Sequence, residues 1–191
     1  YSDSNYFQLE NRLAEIATLV GAKNIEELFE RGKKEINGQF KQLLLDLATN
    51  NETSFFRDPK VFNAIESLVL RAASEGQFKP DDFRIWSAAA STGQEAVSLA
   101  ILIKEFESKR GTSLKFSITG TDISDRALAK AKSALYSQLE VQRGLPAPYL
   151  VKYFRKGEQD RWAVSQELVR HIEFQKVNLT RPFPFKDKFQ L

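Results

Sequence analysis

The sequence predicts an α/β fold with a parallel sheet, preceded by a purely helical segment, and three observations carry that expectation. Residues 83–136 alternate strand, helix, strand, helix, the rhythm of a parallel sheet covered by its crossover helices. A run of small residues, Ala88-Ala89-Ala90-Ser91-Thr92-Gly93, joins the first of those strands to its helix. Residues 1–48 hold only apolar patterns of helical period.

The elements follow in order. Phe7, Leu9, Leu13, Ile16, Leu19 and Val20 recur at helical spacing, and Gly21 is a stop. Asn24 with Glu27 three residues on reads as a capping box for a second helix through about Ile36. Phe40, Leu43, Leu44 and Leu47 place their apolar side inside a third. Pro59 sits in the first turn of a helix over 59–74. The spacing then predicts a strand at 83–89, a helix at 93–110 ending at Gly111, a strand at 115–122, and a helix at 124–136 capped by Ser124. After Tyr136 come a turn and short helix in "RGLPAPYLVKYF", a small hairpin around Gly157–Asp160, and a third sheet strand within 170–179. The final "KFQL" reads as the start of a fourth strand, so the sheet is expected to lack its C-terminal strands.

Composition removes several functions. The 191 residues suffice for one domain with a small appendage and a real core. There is no cysteine, which excludes disulfides, thiolate metal sites and a cysteine nucleophile, and points to a reducing, cytoplasmic setting. His171 is the single histidine, so a histidine-rich metal site cannot be built; it reads as structural. A net charge of +3 does not argue for nucleic acid. No apolar run reaches the ~18 residues that a membrane span needs. The lack of any methionine, the initiator included, reads as a trimmed chain.

In open α/β sheets, ligands bind beyond the carboxyl ends of the strands, where Ala88–Gly93 would lie. Small side chains there let a ligand touch backbone, and a helix start near Gln94 offers N–H groups to an anion. The glycines of a phosphate loop or dinucleotide fingerprint are missing, so a plain tight turn stays open. Asp122, ending the second strand, suits a ribose diol because one carboxylate accepts from both hydroxyls; it could equally cap the next helix. In "TNNETSFFRDP", polar Asn50, Asn51, Thr53 and Arg57 surround Phe55 and Phe56. One phenyl could point inward and the other against a flat ligand, with Arg57 gripping a carboxylate; a helix entry with a surface ion pair is the alternative.

Together these segments resemble one family, the CheR-type chemotaxis receptor methyltransferases, which use S-adenosylmethionine. "TNNETSFFRD" is similar to the family's T-N-x-T-x-F-F-R, "RIWSAAASTGQEAVS" to its W-S-A-x-x-S-T-G-E/Q-E-P-Y-S loop, and "TGTDIS…AKSALY" to its T-D-I-S…A…Y segment. "RGLP…YLVKYF", W-x-V and "IEFQKVNL" fall in the family's order, so the resemblance runs over nearly the whole chain. It departs at Ala96-Val97, where the family has Pro-Tyr, and the sequence stops before the family's C-R-N strand.

The resemblance implies a Rossmann-like class I methyltransferase sheet. An N-terminal helical domain would occupy 1–48, and the methyltransferase domain 49–191 would carry an inserted β-subdomain at about 137–170. It implies that Asn51, Thr53 and Arg57 contact S-adenosylmethionine, Arg57 near its carboxylate. Gly93 and Glu95 would line the methionine end, Asp122 would hold the ribose, and Asn178 and Leu179 would border the adenine. The acceptor it implies is a glutamate on a chemoreceptor helical bundle, which needs no metal and no catalytic base. Arg31, Lys33, Lys34 and Lys41, with Arg71 as a further candidate, would form the docking face; such a charge run also suits a solvated helix. The short hairpin implies no tether to a receptor C-terminal pentapeptide. A non-catalytic S-adenosylmethionine- or S-adenosylhomocysteine-binding domain of the same fold, or transfer to another carboxylate, stands as the alternative.

Overall fold

The structure, a computed structural model, describes residues 6–34, 38–77, 83–186 and 188–191. The parts of the predicted helical region at 1–5 and 35–37 lie outside the described residues.

Three helices come first: α1 (Tyr6–Leu19), α2 (Ile25–Lys34) and α3 (Gly38–Ala48). Their shared core is small. Ile16, Ala17 and Leu28 are buried, and Leu13, Val20, Phe40, Leu43, Leu44 and Leu47 are packed around them. Phe7 and Leu19, in the same apolar pattern of α1, are exposed, since α2 and α3 cover the helix only around Ile16. The expected capping box is shifted by one residue. Asn24 accepts from Glu27 N, but Glu27 reaches back to Lys23 N rather than to Asn24 N. Arg31 donates to Glu27 and to the carbonyls of Val20 and Gly21, which ties α2 to the turn before it.

The predicted helix over 59–74 is continuous but not uniform. It runs as α4 (Pro59–Ala64), a π-helical stretch (Ile65–Leu70) and α5 (Arg71–Ser74). Asp58 caps it and Pro59 stands in the first turn, where a missing N–H costs nothing.

Strands β1 (Phe83–Ala88), β2 (Phe116–Asp122) and β6 (Ile172–Lys176) form a parallel sheet in the order β1-β2-β6. On β1, Phe83, Ile85 and Ser87 are buried, while Arg84 and Trp86 take the other face. Helix α6 (Gln94–Arg110) is enclosed by the main core, with Ala96, Val97, Ala100, Ile101 and Ile103 all buried. Ala96-Val97 therefore serve packing. Gly111, left-handed at φ 61°, ends the helix. The last residues run along the other edge of β1: Gln190 N donates to Arg84 O and Trp86 N to Leu191 O. They form no regular strand. In the order β1-β2-β6, β1 is therefore an edge strand, and residues 190–191 lie along its open side.

Helix α7 (Asp125–Ser133) ends three residues before its predicted limit. Ala134 turns left-handed at φ 50°, and its carbonyl accepts from Val164 N. Tyr136 thus belongs to β3 (Leu135–Ser137). With β4 (Phe154–Lys156) and β5 (Arg161–Val164), β3 makes a second, antiparallel sheet in the order β3-β5-β4. Between them lie α8 (Gln138–Gln142) and α9 (Ala147–Tyr153), and α10 (Gln166–Val169) leads into β6.

Candidate functional site

The loop after β1 is built from strained backbone. Ala89, Ser91 and Gly93 have φ of 54°, 51° and 92°, so two non-glycine residues sit in the left-handed region. Such strain persists only where surroundings over-determine it, and it clusters at functional sites. Here the clamps are visible. Ala90 N donates to Thr121 O, Ser91 N to Asp122 Oδ2 at 2.8 Å, and Tyr136 OH to Thr92 O at 3.0 Å. Burial pushes the Tyr136 hydroxyl far above its ordinary value, which keeps it a donor. The Ala90 and Ser91 N–H groups are thus taken up by the end of β2.

Asp122 ends β2 almost buried. Its two oxygens each take one backbone donor, Ser91 N on Oδ2 and Ser124 N on Oδ1 at 2.9 Å. A carboxylate has about four acceptor sites, so capacity remains for a ligand. The expected helix-capping role belongs to Ser124, whose Oγ accepts from Ala127 N. Glu95, in the first turn of α6, takes a 2.7 Å bond from Ser87 Oγ.

The "TNNETSFFRDP" segment closes the other side. Phe55 is fully buried and packs edge-to-face on Tyr136 and Phe154, with centroids 5.1 and 5.7 Å away. Phe56 packs on Phe62 and Tyr149. Neither phenyl lines the cavity, so the flat-ligand alternative for this aromatic pair is corrected: both rings are held by other aromatics. Ser91 Oγ donates to Asn51 O, joining this segment to the β1 loop. Phe55 N donates to Arg143 O, and Arg143 pairs with Glu52.

Between these parts opens a cavity of about 780 Å³. Of the sequence-predicted residues, Asn51, Thr53, Arg57, Glu95, Asp122, Asn178 and Leu179 line it together. Gly93 stands behind the wall: a Cβ there would meet Phe174, Ala131 and the Tyr136 hydroxyl at 3.0–3.1 Å. Lys33, Lys34, Lys41 and Arg71 lie outside, exposed on α2, α3 and α5, with Lys33 paired to Glu30 and Arg71 to Glu75. Ser91, Thr121, Ile123, Val177 and Thr180 also line the cavity, and only their adjacency to singled-out residues could have marked them.

The charge in the wall is informative. Among the described residues its carboxylates are Glu52, Asp58, Glu95 and Asp122, against the guanidinium of Arg57. Asp58 caps α4 and Glu52 has Arg143, but Glu95 and Asp122 make no ion pair among the described residues. Such a wall repels phosphates and favours a ligand with net positive charge beside an apolar and hydroxyl-bearing body. S-adenosylmethionine, a sulfonium with one ammonium and one carboxylate on a nucleoside, fits that donor set. Among the described residues no group of three or more His, Asp or Glu side chains is placed to hold a metal ion, and no helix is long and apolar enough to cross a membrane.

A parallel β1-β2-β6 sheet, a tight loop after β1 and an acid ending β2 define a Rossmann-like α/β domain with its site at the strand ends. The family model "CheR methyltransferase, SAM binding domain" matches residues 51–191. The chain belongs to the CheR methyltransferase family, whose fold is the class I S-adenosylmethionine-dependent one. It is 34% identical to chemotaxis protein methyltransferase 1 of Pseudomonas aeruginosa over 190 residues, covering 97% of this chain and 68% of that protein. Chemotaxis protein methyltransferase Cher2 of Pseudomonas putida is 30% identical, with 99% and 69% covered. The chemotaxis protein methyltransferase of Borreliella burgdorferi is also 30% identical, with 100% and 68% covered.

Proposed function

We propose that this protein transfers a methyl group to glutamate carboxylates on the cytoplasmic helical bundle of a chemoreceptor, forming methyl esters in the cytoplasm. The observation that carries the reading is that Glu95 and Asp122, two carboxylates without ion-pair partners among the described residues, line one cavity with the Arg57 guanidinium. S-adenosylmethionine, when bound, supplies an electrophilic methyl on a positively charged sulfur. Asp122 would take the ribose hydroxyls, its own orientation set by Ser91 N and Ser124 N. Glu95 would face the cationic methionine end, Arg57 its carboxylate, and Asn178 with Leu179 the adenine edge. Asn51 and Thr53 would close the segment over them, and Gly93 would act from behind by letting Phe174 and Tyr136 approach the loop. An acceptor glutamate is ionised near pH 7, so the residues need only align and desolvate it.

An acidic helical substrate calls for a basic docking face. Lys33, Lys34 and Lys41 supply one on α2 and α3. Arg31 is turned to the α1–α2 junction, and Arg71 adds to the face only if the substrate reaches α5. The hairpin β4–β5 has strands of three and four residues, too short a platform for a peptide tether. A receptor C-terminal pentapeptide is therefore expected not to bind at micromolar concentration; calorimetric binding in that range would contradict this.

The test is to incubate the full-length protein with methyl-labelled S-adenosylmethionine and a receptor cytoplasmic fragment, then map base-labile esters by mass spectrometry. Esters on glutamates, lost with Asp122→Ala, are the expected result. Cofactor binding with no ester would make the domain a sensor, and label on another side chain would reassign the acceptor.

A further inference from the structure

The polar face of α3 is bolted to the strand ends that form the cavity. Gln42 and Asp46, one turn apart, share a 3.0 Å hydrogen bond. Asp46 Oδ1 also accepts from Ser124 Oγ at 2.7 Å and from Arg126 N at 3.4 Å. Ser124 is fully buried, caps α7, and through its own N–H holds Asp122 Oδ1. Gln42 contacts Ile123 O and takes a short bond from Lys176 Nζ, just ahead of cavity-lining Val177 and Asn178. Lys176 is also paired with Asp125. One helix from the N-terminal region therefore holds both walls that flank Asp122.

We infer that Asp46 is a positioning residue for the cofactor site: it orients Ser124, and through Ser124 the Asp122 carboxylate. This rests on the reading of Asp122 as the ribose ligand. Ser124 Oγ has one hydrogen to give, and Asp46 directs it, which leaves its lone pairs for Ala127 N. Without Asp46 the hydroxyl is buried with no fixed partner, and the Asp122–Ser124 turn loses its outer support. Among the described residues of the helical region only Ile16, Ala17 and Leu28 are buried, and α3 adds partly buried Phe40, Leu43, Leu44 and Leu47, so this polar seam joins a modest apolar contact in fixing where the helix sits.

The test is calorimetric titration of the full-length protein with S-adenosylhomocysteine, for the wild type and for Asp46→Ala, Asp46→Asn and Asp46→Glu, all below their unfolding transitions. Asp46→Ala is expected to weaken binding roughly tenfold, the scale of a hydrogen bond to a charged group. Asp46→Asn keeps an acceptor at the same reach and is expected to restore affinity to within about threefold. Asp46→Glu keeps the charge but displaces the oxygen by a methylene, so it is expected to resemble Asp46→Ala. Equal affinity across the series would overturn the inference, whatever happened to melting temperature. So would a Glu variant like wild type beside an Asn variant like Ala, since charge and not the hydrogen bond would then be acting. A wild-type protein that fails to bind overturns the cofactor reading itself, a different failure.

Discussion

At the residue scale, close approach matters as much as charge. Gly144 has φ 86°, and a Cβ there would lie 2.0 Å from Phe55 O. The backbone of the β-subdomain presses directly on the segment that carries Asn51, Thr53 and Arg57. Gly144→Ala is expected to destabilise by on the order of 2 kcal/mol or more and to weaken cofactor binding with it, as read by thermal unfolding and titration. An unchanged melting temperature would contradict the contact. Phe55→Ala empties a fully buried aromatic site and is expected to cost about 3–5 kcal/mol by chemical denaturation. The motif residues were legible in the sequence because polar groups around two phenylalanines, or an acid after a strand, are odd for a plain core. The contacts of Gly144 and Tyr136, which stand in the quoted motifs, and of Asp46, which stands in none, were not, since each acts on a segment about 40 to 90 residues away that only the fold brings near.

At the element scale, the antiparallel β3-β5-β4 sheet and the helices beside it depend on charge at a helix cap. Ser137 and Glu140 make a full capping box for α8, and Lys130 of α7 adds an ion pair. Burial raises the Glu140 carboxyl, but the Ser137 N–H and the Lys130 ammonium outweigh it and leave it below the ordinary value of 4.5. Glu105, held by Lys152 and Tyr153 against the same burial penalty, is lowered likewise. A group depressed on folding contributes stability that is present above its unfolded value and lost as pH falls through its folded one. Acid unfolding is therefore expected to set in below about pH 4.5 in part through these two groups. Glu140→Gln should lower stability at neutral pH and flatten its fall in acid. An identical pH profile in the variant would remove Glu140 from that account. The order and type of the sheet elements were readable from period and turn residues. The early end of α7 was not, because Ala134 is an ordinary helix former that turns left-handed only once Val164 pairs with it.

At the scale of the whole molecule, the cavity is where every part meets. The β1 loop, the end of β2, the stretch after β6 and the segment before α4 each supply a wall. The helical region braces one side through Asp46, and the β-subdomain braces another through Arg143 and Tyr136. The sequence announced the cavity through separate short motifs; their convergence needed the parallel β1-β2-β6 sheet that brings the strand ends together. Trp86 lies on β1, its indole N–H on Thr121 Oγ1 and its ring against Phe183, Phe185 and Phe189. Because Thr121 lines the cavity, ligand binding is expected to shift Trp86 fluorescence, and Trp162→Phe isolates that signal. No shift at saturating ligand would place the ligand elsewhere.

The decisive experiment is calorimetric titration of the full-length protein with S-adenosylhomocysteine, beside Asp122→Ala. Saturable binding with one ligand per chain, lost in the variant, is the result expected of a cavity built around that carboxylate. Binding that survives Asp122→Ala undiminished, or no binding by the wild type, would contradict it.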